Sequence, residues 1–234
     1  MNFNDFKHLS LQFTIFTPTI AFSVGPVFAK LMATFSEIFD GNPISLPLPP
    51  DAPKDIPRII LNTKDSKIKL EISESRANLF KFFSMEEKED LDSFVNFIGL
   101  WGKFIEKYIN FTNATVGRLA VVAVKGCECE DQGRVLAQHF CKPEYLIEPF
   151  NRPENFEIHV HKRYKFDSFN VNSWVRCKTG RSTTENKPLI IVEQDLNTLV
   201  ENISETKFNN AEVKTFVTEA LKEQKEILKK YFPE

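Results

Sequence analysis

Residues 116–125, VGRLAVVAVK, decide how the chain is read. A run this apolar and this rich in Val is a strand, and its one charge, Arg118, needs a carboxylate beside it because an unpaired buried guanidinium is very costly. The strand also divides the sequence, because the pattern leading up to it recurs after it.

Upstream, Leu9, Leu11, Phe13 and Ile15 alternate with polar residues, the period of a half-buried strand. Past Pro18 the period lengthens. Val27, Phe28, Leu31, Met32, Phe35, Ile38 and Phe39 then form one face of a helix that begins at Pro26 and ends before Gly41. Residues 42–57, NPISLPLPPDAPKDIP, must run extended, since proline neither donates in a sheet nor continues a helix. Strands are expected at 58–63, 67–73 and 77–83, the first two joined by a Lys64-Asp65-Ser66 turn. Ser84-Met-Glu-Glu87 has the form of a capping box. It opens a helix to about Asn110 with Leu91, Phe94, Val95, Ile98, Trp101, Phe104, Ile105 and Tyr108 on its inner face.

Downstream of the 116–125 strand, Asp131 is placed to cap a short helix through Phe140. Strands follow at 155–164, 169–178 and 188–193, and a last helix runs from about Asn210 to Tyr231. The chain therefore reads as two similar β-α-β-β-β-α halves, residues 1–112 and 113–234, sharing an interface. The expected class is α+β, with antiparallel sheets packed on long helices in a duplicated, saddle-shaped arrangement of the TBP-like or SHS2-like kind.

Length and composition fit this size of core: 234 residues, 42% hydrophobic, 26% charged, net charge −2. With no sustained basic run, a general nucleic-acid or acidic-membrane binder is not indicated, since both need clustered Lys and Arg. Set against eight glycines, the 23 phenylalanines point to core packing, with a ring-lined cavity as the sharper alternative. Asp5, Lys7, His8, Pro18 and Pro26 break up the amino-terminal apolar run, so neither an export signal nor a membrane span is expected. The four cysteines then belong to a cytoplasmic, reduced protein rather than to a disulfide framework, and the acceptor triplets at Asn110, Asn113 and Asn202 are chance matches.

Candidate chemistry is sparse. GCECEDQGRVLAQHFC, residues 126–141, offers Cys127, Cys129, His139 and Cys141 as a zinc set, although single-residue spacings are poor for a structural site. The alternative is two strand-end thiols and a helix-end histidine favoured by the dipole. In IHVHKRY, His159 and His161 share a strand face with Glu157 and Arg163; with Cys177 on a neighbouring strand they could bind a metal or act as acid and base, whereas a solvated face explains the same alternation. Lys162, Arg163, Lys165, Arg176, Lys178 and Arg181 would serve nucleic acid if gathered on one face. Glu193 and Asp195 are the candidate partners of Arg118, in a structural ion pair. No nucleophile elbow, phosphate loop or zincin helix is present, so no catalytic residue is assigned.

In feature order the chain resembles a sporadically distributed family of uncharacterised prokaryotic proteins of about 230–260 residues. The resemblance is carried by the 94–108 helix leading into Gly117-Arg118-Leu119, by the acidic strand end Ile190-Ile-Val-Glu-Gln-Asp195-Leu, and by the closing Glu226-Ile-Leu-Lys-Lys-Tyr-Phe232. It implies an accessory component of a mobile-element or defence-related gene set, and no catalytic residues or cofactor.

The function expected from these patterns is non-enzymatic binding. A protein partner or a small apolar ligand would be held at the seam between the halves or at a sheet edge, and a homo-oligomer fits the same surfaces. A zinc-dependent structural or hydrolytic protein and a nucleic-acid module are the alternatives.

Overall fold

The computed structural model describes residues 1–18, 22–49, 51–86, 91–182 and 186–234. In chain order its elements are β1 (Lys7–Phe16), α1 (Val24–Phe35), β2 (Ile44–Ser45), β3 (Ile59–Asn62), β4 (Ile68–Ile72), β5 (Arg76–Phe82), α2 (Leu91–Thr112), β6 (Arg118–Glu128), α3 (Gln132–Phe140), β7 (Glu157–Phe166), β8 (Phe169–Arg181), β9 (Pro188–Thr198) and α4 (Asn210–Tyr231). The protein is α+β: every strand joins one antiparallel sheet, ordered β2-β3-β4-β5-β1-β6-β9-β8-β7. Most of the apolar 116–125 stretch falls in β6, which starts two residues later and runs on to Glu128, and lies near the middle beside β1, with Phe13 opposite Val121. A position this central, flanked on both edges, is what a near-continuous Val-rich strand is suited to.

Strand alternation sorts side chains onto two faces. On one, Leu11, Phe13 and Ile15 of β1 and Leu119, Val121 and Ala123 of β6 are buried against α1, α2 and α4. Val175 and Cys177 of β8 and Ile190 and Val192 of β9 are buried with Leu136 of α3 and Leu228 of α4. The phenylalanines supply much of this core. Phe13 packs on Phe97 and Trp101 of α2 with centroids 4.9 and 5.8 Å apart, and Trp101, Phe104 and Tyr108 continue the stack along the helix.

The other sheet face is more polar, although Phe16, Phe80, Val122 and Trp174 lie on it among the polar side chains. Thr14 Oγ1 donates to Asn78 Oδ1 at 2.9 Å, joining β1 to β5. Between β8 and β9, Asn172 Nδ2 donates to Asn197 Oδ1 at 3.3 Å. These four side chains are all buried, and each of the two pairs gives its members a partner. β7 closes one edge and is largely exposed, its Glu157, Lys162, Arg163 and Lys165 discouraging edge-to-edge pairing.

Local signals explain most boundaries. Asn209 caps α4: its Oδ1 accepts from the backbone N–H groups of Ala211 and Glu212, at 2.9 and 3.0 Å, while its own N–H donates to Glu212 Oε2. α1 begins two residues ahead of Pro26, which the first turn tolerates because amides there have no intrahelical acceptor. The Lys64-Asp65-Ser66 turn is present, with Ser66 at φ 58° and Asp65 Oδ1 accepting from Lys67 N–H at 3.0 Å.

Three expectations change. Residues 42–57 are not wholly outside the sheet, since Ile44–Ser45 adds a short edge strand. Asp131 occupies the cap position of α3 without making a side-chain cap bond. Leu91 and Val95, expected on the inner face of α2, are 74% and 57% exposed, while Phe97 and Trp101 further along are buried. The capping box at Ser84 involves Glu87, which lies outside the described residues.

Candidate functional site

The zinc set is not assembled. Among the described residues no three His, Cys, Asp or Glu side chains form a group that could hold a metal ion. Cys127, near the end of β6, and Cys129, just after it, are half-buried at the margin of the core formed by Leu136, Val175, Cys177, Ile190 and Leu228. His139 is used differently: its Nε2 lies 2.6 Å from the Tyr231 carbonyl, and its ring stacks on Phe232 at 4.9 Å. Donation from Nε2–H to that carbonyl ties the end of α3 to the end of α4. Cys141 follows α3, its backbone N–H closing the last turn on Ala137.

His159 and His161 share the polar face with Glu157 and Arg163, as their spacing predicts. His159 Nε2 lies 2.9 Å from Glu157 Oε1. His161 stacks on Trp174 at 4.2 Å, and its Nε2 donates to Asn172 Oδ1 at 3.3 Å. Cys177 is not their neighbour. It faces the helices, 1% exposed, and burial pushes its thiol up to about 12.

Arg118 does not pair with Glu193, which instead meets Arg176 directly across the β8–β9 register. Arg118 donates from Nε to the Thr198 carbonyl at 3.0 Å and from Nη2 to Asn197 Oδ1 at 2.6 Å, with its guanidinium over Phe16. Asn197 Nδ2 in turn donates to Asp195 Oδ1 at 2.8 Å, so the carboxylate reaches Arg118 through an amide. Burial lowers the Arg118 value, opposed by Asp195 and Glu201. Burial likewise raises the Asp195 carboxyl, opposed first by Asn197 and then by the two guanidinium groups.

Of the six basic residues, the register places Arg163, Lys165, Arg176 and Lys178 together on the polar face and Lys162 on the other. Arg163 is tied to Glu201 at 2.8 Å, Arg176 to Glu193, and Arg181 donates to the Asn186 carbonyl.

A different place has room for a ligand. Gly102 of α2 leaves space for the stem of Lys214 of α4, where a Cβ would lie 2.9 Å from Cε. Toward Leu91 on α2 and Lys225 on α4, the side chains of the two helices line a cavity of about 600 Å³ above β1 and β6. Phe6, Phe83, Phe94, Ile98 and Leu221 form apolar walls; His8, Lys125, Lys222 and Lys225 are its titratable lining, and Gln224 lies among them. Gln224 is buried and bridges three elements: its Nε2 donates to the Val121 and Gln194 carbonyls, and Gln194 Nε2 donates back to the Gln224 carbonyl. The floor is therefore held by hydrogen bonds between α4, β6 and β9. The exposed Leu91 belongs to this lining.

Most of the rings pack in the core, the first reading of the phenylalanine count; Phe3, Phe6, Phe83 and Phe94 line the cavity, as in the alternative. Its lysines were not singled out in the sequence, although Lys222 and Lys225, three apart on a helix whose apolar positions are plain, already share a face there. Among the described residues no helix is long and apolar enough to cross a membrane. Neither a search of protein-family models nor one of curated proteins finds a match for the chain.

Proposed function

We propose that the chain is a non-enzymatic binding protein and that the cavity between α2 and α4 is where it holds a small apolar ligand. The observation that carries this is the cavity's place. The sheet order, apart from β2, has a palindromic form: β3-β4-β5-β1 is followed by β6-β9-β8-β7. That order supports two β-α-β-β-β-α halves, 1–112 and 113–234, joined edge to edge through their first strands in a TBP-like manner. The cavity lies over that join, between the closing helices of the two halves, with apolar walls of the kind small-molecule sites use. A role as an accessory of a prokaryotic defence or mobile-element system belongs to the same proposal and rests on the family resemblance alone.

The test is a neutral apolar dye such as Nile red, followed by fluorescence, against the wild type and an Ile98→Trp variant that fills the space. The wild type takes up one dye per chain and the variant takes up none while keeping its thermal unfolding midpoint. Absence of uptake by the wild type, or uptake indifferent to the filling, would contradict the reading.

A further inference from the structure

We infer that the ligand of this cavity is a single-tailed amphipathic anion, a carboxylate whose head lies against Lys222 and Lys225 and whose tail lies among Phe6, Phe94, Ile98 and Leu221. This rests on the reading of the cavity as the binding site and adds its chemistry. The chain as a whole carries net charge −2, yet the charged residues among the described lining are Lys125, Lys222 and Lys225, with no Asp or Glu. A cavity that joins apolar walls to cations of one sign discriminates by head group: an anion gains charge-assisted hydrogen bonds, whereas a cation is repelled and a neutral head gains little.

The two α4 lysines are available. Lys222 Nζ contacts Glu219 Oε1 at 2.7 Å, an exposed pair three residues apart that is worth little in water and is readily exchanged. Lys225 has no carboxylate within ion-pair distance among the described residues. Three residues apart, they present two exposed ammonium groups on one side of the helix, in the same lining as Phe6, Phe94, Ile98 and Leu221. An anion too polar to use those walls would leave them hydrated, so the tail is as much a part of the recognition as the charge.

Titration calorimetry with octanoate, decanoate and dodecanoate, and with decanol and decylamine, all below their aggregation concentrations, separates the terms. Decanoate binds tighter than decanol by about tenfold or more, decylamine binds weakest, and the carboxylates gain about fourfold per added methylene. In a Lys222→Ala/Lys225→Ala double variant the preference for decanoate over decanol disappears while decanol binds as before. Both lysines are exposed, so an unchanged thermal midpoint checks that the fold survives. Equal binding of decanol and decanoate, or undiminished decanoate binding by the double variant, overturns the head-group assignment and leaves the cavity reading standing. If no member binds and Nile red also fails, the cavity reading falls and the inference with it.

Discussion

Arg118 and Glu193 belong to hydrogen-bonded neighbours, β6 and β9, yet the register separates them. Glu193 is opposite Val124, six residues along β6 from Arg118, a distance of about 20 Å at strand rise. A one-dimensional pattern identifies a charge that needs a partner without giving the register that selects it, so Arg118 was legible as a constrained residue and its Asn197 contact was not. Asp195 carries the energetic consequence. Its carboxyl is raised by burial, so the folded state binds the proton more tightly than the unfolded state, whose value is about 3.9. The protonated form's advantage is fully present below that value and is lost as pH rises through the raised native one. Chemical denaturation of the wild type and Asp195→Asn across acid pH should therefore show the wild type losing stability relative to the variant as pH rises over that window. A gap between the two that is constant with pH would contradict this account of the site.

At the scale of elements, periodicity was a good guide and orientation a poor one. The helix expected from about Asn210 to Tyr231 is Asn210–Tyr231, and the strand beginning at 188 runs on to Thr198 through residues whose alternation continues in QDLNT. Helical phase could not say where a helix stops being covered. Leu91 and Val95 keep the apolar spacing of α2 but lie near its start and are exposed rather than under the core; Leu91 lines the cavity. His139 has the same origin: its place in the last turn of α3 is legible, while its contact with the end of α4 depends on how two helices distant in sequence are packed. The start of α4 is a purely local feature. Replacing Asn209 by Ala removes the acceptor of two backbone amides and should lower unfolding stability by about 1 kcal/mol in denaturant titration. Because the cap lies at the opposite end of α4 from Lys222 and Lys225, decanoate affinity should be unchanged; a loss of affinity without a loss of stability would point to a different role for that end.

The whole molecule is organised by the β1–β6 pairing. Each strand is apolar toward the helices, and their union makes one sheet in which the remaining strands follow outward on both sides. The succession of strands and helices was readable because each stretch keeps its own period. The pairing of β1 with β6 was not, since each strand has two edges and nothing local says which will meet. The cavity follows from that joining, because it places α2 and α4 side by side over the central strands. Its chemistry therefore depends on residues from both ends of the chain, none of which forms a motif alone.

The most direct measurement is an amide and methyl NMR titration of the uniformly labelled protein with decanoate. Resonances of Phe94, Ile98, Leu221, Lys222 and Lys225 should shift together and saturate at one ligand per chain, while those of His159, His161 and Trp174 on the polar face stay in place. Shifts confined to the polar face, or no saturable shifts anywhere, would contradict a ligand site over the join of β1 and β6.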